Sequence, residues 1–179
     1  MGKQLDSLTP KLIDFIKHQK LFFVGTARSN GRVNLSPKGM DTLKVVHPNK
    51  VIWLNLTGSG NETAAHLLEN DRMTIMFCSF DEKPLILRLY GEAKIYHTRD
   101  HEFHEYVSSF GSPTGARQII ELDFDLVQTS CGFGVPIMTF VEERPTLNKW
   151  ASNKNEEELK DYWEQKNTIS LDGHKTNII

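Results

Sequence analysis

Two short stretches of this 179-residue chain combine residue types suited to holding an anion. One is Ser36-Pro37-Lys38-Gly39, at the end of an expected strand. The other is Thr57-Gly58-Ser59-Gly60-Asn61-Glu62-Thr63, between an apolar strand and a helix. A Gly-rich bend that enters a helix presents free backbone N–H groups and the positive end of the helix dipole. Ser, Thr and Asn side chains add donors, and Lys38 adds a full positive charge. Together they suit a phosphorylated ligand of moderate size. Gly-Ser-Gly-Asn is equally an ordinary strand-to-helix connection with Asn61 as N-cap, and spacing alone leaves both readings open. The loop is not a Walker motif, since no G-x-x-x-x-G-K-[ST] is present. It is not a dinucleotide fingerprint either: Thr63 stands where the third glycine belongs, and no βαβ repeat surrounds it.

Four other groups invite chemistry. Arg88 interrupts the apolar run Leu85–Tyr90, so it pairs across strands or contacts a phosphate. His97, His101 and His104, with Asp100 and Glu105, suggest a metal cluster. No fourth ligand is evident, and a solvated helix face accounts for them better, so no metal is expected. Cys131, followed by Gly132, sits in a Gly-flanked loop where either a reactive thiol or a small turn residue fits. Asp123 and Asp125 alternate along a strand and point one way, as a solvent-facing pair or as paired carboxylates. No hydrolase elbow is present.

The elements that must position these residues are mostly strands. Thr9 caps a helix that Pro10 opens, with Leu12, Ile13, Phe15 and Ile16 on one face to about Gln19. Strands are expected at 21–27 and 32–36, joined at Asn30-Gly31, where both central positions can take positive φ. Pro37 should end the second of these or place it at an edge. Further strands follow at 43–47, 50–56, 72–80, 85–97 (with a bulge at Gly91) and 117–128, with helices over 62–68 and from a Thr98 cap through Tyr106. A compact loop, 129–136, leads into Ile137–Val141. About seven hairpin-joined strands favour an antiparallel barrel over a doubly wound sheet. The expected organisation is a barrel domain over 1–145 and a helical extension over 146–179 that packs on the barrel or on a partner chain.

Composition narrows the class. With 39% hydrophobic and 25% charged residues the chain is globular, and a net charge of −2 without a basic stripe excludes the usual nucleic-acid binder. No apolar run is long enough to cross a bilayer, and the first residues lack a signal core. Asp6 occupies the place where a myristoylation signal needs Ser or Thr. Two cysteines make no disulfide framework, so a cytoplasmic location is expected.

Several of these segments are familiar together. Val33–Gly39, Leu56–Thr63, Leu87–Gly91, Gln128–Pro136 and Glu143–Thr146 resemble the pyridoxamine 5′-phosphate oxidase-like family of flavin-binding proteins, over most of the chain. The resemblance implies a mainly β fold with flanking helices, an antiparallel split β-barrel of Greek-key type. It implies a homodimer with flavin mononucleotide (FMN) at the subunit interface. The phosphate would lie on Thr57, Gly58, Ser59, Gly60, Asn61 and Thr63. Ser36, Pro37, Lys38 and Gly39 would lie at the phosphate or the ring edge, Arg88 would be a second phosphate contact, and the Cys131–Gly132 loop would approach the ring. The implied activity is FMN-dependent oxidation or reduction, with NAD(P)H or another small molecule as electron donor. The alternative is a non-catalytic flavin or haem carrier or sensor. Glu62 departs from the basic phosphate loop of the true oxidase. Leu171–Ile179 lacks the Arg-Leu-x-Pro segment that helps hold pyridoxamine phosphate there, so a different substrate is expected. No side chain is assigned as general acid or base.

Overall fold

A computed structural model describes residues 2–179. Eight strands form one antiparallel sheet: β1 (Lys3–Leu5), β2 (Phe22–Thr26), β3 (Asn34–Lys38), β4 (Leu43–His47), β5 (Lys50–Leu56), β6 (Arg72–Cys78), β7 (Ile86–His97) and β8 (Ala116–Ser130). The strand order is β3-β2-β6-β7-β8-β5-β4, with β1 added on β8. The curled sheet stays open between β3 and β4, which is the architecture of a split barrel. Those two edges are consecutive in the chain and joined by residues 39–42, so the split lies beside the Ser36–Gly39 corner. Pro37 sits on this outer strand, where its missing N–H leaves no interior ladder bond unmade.

The interior of the curl is packed by Phe22, Val24, Val51, Trp53, Ile75, Phe77, Leu87, Leu89 and Leu122. Phe22 meets the Trp53 ring edge-on at 6.2 Å between centroids and Phe77 at 5.9 Å. The uninterrupted apolar run of β5 has a simple cause. Val51 and Trp53 face the interior, while Ile52 and Leu54 face a second core built with Phe103 and Val107 of α3 (His101–Val107).

Gly91 is required by geometry. The β7–β8 register shifts between Tyr90 and Gly91, and a Cβ there would fall on the Asp123 carbonyl and within 2.5 Å of the Phe124 Cα.

Several expectations need correction. β1 was not foreseen, because Lys-Gln-Leu carries no strand signal and is held only by pairing with Val127–Thr129. At the β2–β3 hairpin only Gly31 has positive φ, at 100°, and the connection is longer than a two-residue turn. Arg28 and Ser29 are held there by the Glu69 carboxylate instead. α3 begins after Asp100, whose carboxylate accepts from the His97 N–H at 2.7 Å, rather than after Thr98. Residues 131–145 run without regular structure.

The remaining helices are α1 (Pro10–His18), capped by Thr9, α2 (Glu62–Leu67), α4 (Thr146–Ser152) and α5 (Glu156–Lys166). α5 opens with a reciprocal capping box between Asn155 and Glu158. The last two helices pack back on the chain through buried Ala151 and Leu159, and the Trp163 indole donates to Thr57 Oγ1 at 2.8 Å. No helix among the described residues is long and apolar enough to cross a membrane.

Candidate functional site

Alternation along β3 turns Asn34, Ser36 and Lys38 to one side and leaves Leu35 and Pro37 exposed on the other. On the inner side these residues meet the 58–63 loop that follows β5. Between them lies a cavity of about 320 Å³, floored by Trp53 and closed at the back by Arg117 from the start of β8. Ser36, Lys38, Gly58, Ser59, Gly60, Asn61 and Thr63 therefore share one concavity, although up to 27 positions separate them.

The loop is pinned from behind. Thr57 Oγ1 donates to the Gly115 carbonyl at 2.9 Å while accepting from Trp163, so Thr57 anchors the loop and does not line the cavity. Thr63 Oγ1 accepts from Asn34 Nδ2 at 3.2 Å, tying loop to strand. Asn61 does not cap α2 with its side chain. Its Nδ2 donates to the Asn167 carbonyl at 3.4 Å instead. The carbonyls of Gly58 and Gly60 are taken by Asn167 and Arg117. The amides of residues 58–61 donate to no protein group among the described residues. α2 has only six residues, so the positive potential here comes mainly from side chains rather than a helix dipole.

Those side chains are Lys38 and Arg117. The Lys38 ammonium stands 4.9 Å from the Trp53 ring centroid. Burial, and secondarily the Arg117 charge, pull its pKa down to about 8. Arg117 is 3% exposed. Its Nη1 donates to the Gly60 carbonyl at 3.0 Å and to Asn167 Oδ1 at 2.8 Å, and burial lowers its pKa to about 10. Neither cation has a carboxylate partner among the described residues. The cavity's one carboxylate, Glu62, accepts from the Leu171 N–H at 3.0 and 3.1 Å.

Buried charge without a counter-charge, and buried polar atoms without partners, are both costly and uncommon. Among the described residues three buried side-chain polar atoms lack any hydrogen-bond partner: Ser36 Oγ, Asn61 Oδ1 and Arg117 Nε. All three belong to residues lining this cavity. A hydroxyl, a guanidinium N–H and an ammonium are the donors a phosphate takes, and an amide oxygen accepts from a ligand hydroxyl or ring N–H. The residues present fit a phosphorylated, hydroxyl-bearing ligand.

Pro37 and Gly39 flank Lys38 at the corner without lining the cavity. Arg88, Cys131 and Gly132 lie elsewhere. Arg88 Nη1 donates to Ser130 Oγ at 3.2 Å, next to exposed Cys131, and Gly132 packs on Leu85. The cross-strand partner of Arg88 is thus a hydroxyl rather than a carboxylate. His97 is buried against Gln118, and burial lowers its pKa to about 4. No group of three His, Cys, Asp or Glu side chains among the described residues is placed to hold a metal ion. Asp123 and Asp125 are exposed, and Lys50 bridges Asp123 at 3.3 Å.

Sequence reasoning passed over Arg117 and Asn167. A cation heading the apolar run of β8 was a signal of the same kind that singled out Arg88. Nothing local marked Asn167.

An open antiparallel barrel with a cation-lined cavity at its split defines the split-barrel class, and comparison with known proteins gives the family. Residues 8–131 match the family model described as pyridoxamine 5′-phosphate oxidase. A pyridoxamine 5′-phosphate oxidase family protein of Aspergillus flavus, ustO, is 42% identical over 186 aligned positions, covering 94% of this chain and 75% of that protein. The chain belongs to the pyridoxamine 5′-phosphate oxidase family. Solved structures share the fold at lower identity. HupZ of Group A Streptococcus aligns with TM-score 0.56 at 20% identity, covering 67% of this chain and 91% of that one. A provisionally assigned pyridoxamine 5′-phosphate oxidase from Lactobacillus delbrueckii aligns with TM-score 0.57 at 15% identity, covering 69% and 94%.

Proposed function

We propose that this protein is an FMN-binding oxidoreductase that works as a homodimer. The observation that carries the reading is the pair of cations, Lys38 and Arg117, left without a carboxylate in a cavity that also holds the unpartnered atoms of Ser36 and Asn61. Lys38, Arg117, Ser36 and the amides of Gly58–Asn61 hold the phosphate, and Thr57, Thr63 and Asn34 keep the loop in place. Asn61 Oδ1 accepts from a hydroxyl of the ligand. FMN, once bound, supplies the electron or hydride transfer, with NAD(P)H or another small molecule as donor. The protein contributes binding, orientation and a positive charge beside the ligand.

The dimer rests on a separate observation. Residues 131–145 expose Phe133 (80%), Ile137, Met138, Phe140 and Val141 (86%) along one irregular stretch. So much apolar surface on one segment is typical of a subunit contact. Cys131 and Gly132 begin this stretch and Arg88 borders it through Ser130, so in such a dimer they would be the residues offered to the flavin of the partner subunit.

A second reading is a non-catalytic flavin carrier or sensor. It is favoured by how the cavity's titratable groups are used: its one carboxylate is engaged by the Leu171 N–H, no His or Tyr lines it among the described residues, and Lys38 is taken up by the phosphate in this reading. The same lining has no His, Cys or Met to ligate haem iron, so flavin is the better occupant of this cavity.

The test is direct. Purified protein is incubated with excess FMN, desalted and examined by absorption and flavin fluorescence. Retained yellow colour with quenched fluorescence supports the reading, and a colourless protein overturns it. Turnover of NADH or NADPH onto an acceptor then separates the enzyme from the carrier.

A further inference from the structure

We propose that Asn167 is the residue that gives the site its preference for a phosphorylated ligand: its neutral amide holds the Arg117 guanidinium in place without cancelling its charge. This rests on the flavin reading above and adds to it a residue from outside the barrel.

Asn167 ends α5 and is fully buried, at 0% exposure. Its Oδ1 accepts from Arg117 Nη1 at 2.8 Å and its Nδ2 donates to the Gly58 carbonyl at 3.0 Å. Its own carbonyl accepts from Asn61 Nδ2 at 3.4 Å and from Thr176 Oγ1 at 2.5 Å. One side chain thus touches both the guanidinium at the back of the cavity and the loop along its side.

The chemical identity at this position matters because of what an aspartate there would do. A carboxylate at hydrogen-bond distance from a buried guanidinium forms a neutral pair, and that pair no longer attracts a phosphate. The amide supplies the same acceptor geometry with no net charge. Glu62 is handled by the same segment: the Leu171 N–H, four positions beyond Asn167, holds its carboxylate. The C-terminal segment therefore acts on the cavity's charges in two ways, orienting Arg117 with a neutral group and fixing the position of the one nearby carboxylate.

The experiment compares FMN with riboflavin, which shares the ring and ribityl chain but lacks the phosphate. Dissociation constants for both are measured by fluorescence quenching on the wild type, Asn167→Asp and Asn167→Ala. The ratio of FMN affinity to riboflavin affinity isolates the phosphate term, and the difference between the two variants isolates the charge, since both lose the Asn167 donation to the Gly58 carbonyl. Asn167→Asp lowers the ratio by about tenfold or more, the size of one charge-assisted hydrogen bond. Asn167→Ala frees the guanidinium without neutralising it and lowers the ratio by about threefold, within the range of one ordinary hydrogen bond. A ratio equal to that of the wild type in whichever variant folds overturns the proposal. A wild type that binds neither flavin sinks the flavin reading instead. The role of Asn167 is then read from inorganic phosphate, which raises the melting temperature of the wild type and not that of Asn167→Asp. Equal stabilisation of both proteins by phosphate overturns the proposal there too.

Discussion

Lys38 makes ligand affinity depend on pH in a direction that can be worked out in advance. Its pKa in the ligand-free fold is about 8, against an ordinary value of 10.5, first because it is buried and then because Arg117 lies near. Lowering a lysine pKa this far means the fold disfavours the cation by about 3 kcal/mol below pH 8. That penalty is relieved as pH rises from 8 towards 10.5, so the ligand-free protein gains stability over this window. A bound phosphate reverses the preference and stabilises the cation. Affinity for FMN then follows the protonated fraction of Lys38, about nine-tenths at pH 7, one-half at pH 8 and one-tenth at pH 9. FMN should bind about tenfold more weakly at pH 9 than at pH 7. Riboflavin should bind with little change over the same range. Lys38→Met should bind FMN weakly at pH 7 and show no slope. Fluorescence titrations at pH 7, 8 and 9 make the measurement. A flat profile in the wild type, or the same slope in Lys38→Met, would refute the assignment of Lys38 to the phosphate.

Three further outcomes are expected. Arg117→Met should change the melting temperature of the ligand-free protein little: it relieves the charge burial that lowers the pKa from 12.5 to about 10, a penalty of about 3 kcal/mol, but leaves the Gly60 carbonyl and Asn167 Oδ1 without a donor, at about 1–3 kcal/mol each. The same change should weaken FMN binding about a hundredfold, and a large loss of thermal stability would instead make Arg117 a structural residue. Gly91→Ala should destabilise by at least ~3 kcal/mol, about 6–12 °C in melting temperature, because the new methyl meets the backbone of β8; an unchanged melting curve would mean the bulge relaxes freely. Val141→Glu places a charge on the exposed apolar stretch and should shift the protein from dimer to monomer in analytical ultracentrifugation, with weaker FMN retention.

What the sequence determined by itself was local. The Thr9-Pro10 start of α1, the limits of β4 and β5, the Gly91 bulge and the Asn155–Glu158 opening of α5 all follow from neighbouring residues, through alternation, capping and φ preferences that need no distant partner. The Ser36–Lys38 corner and the 58–63 loop could be named as candidate anion-holding segments for the same reason. Tertiary structure decided which of them meet and what completes them. Lys38 and Arg117 are neighbours only because β8 runs between β7 and β5 and carries its first residues to the split beside β3. Arg88 and Arg117 look alike in sequence, each a cation beside an apolar run, and only strand order sends one to the cavity and the other to Ser130. Asn167 lies 50 positions from Arg117 and more than 100 from Gly58, and no local signal marks it. Turns and strands are set by short-range sterics and hydrogen bonding. A binding site is set by which charges remain uncompensated once the chain has packed, and that depends on the whole fold.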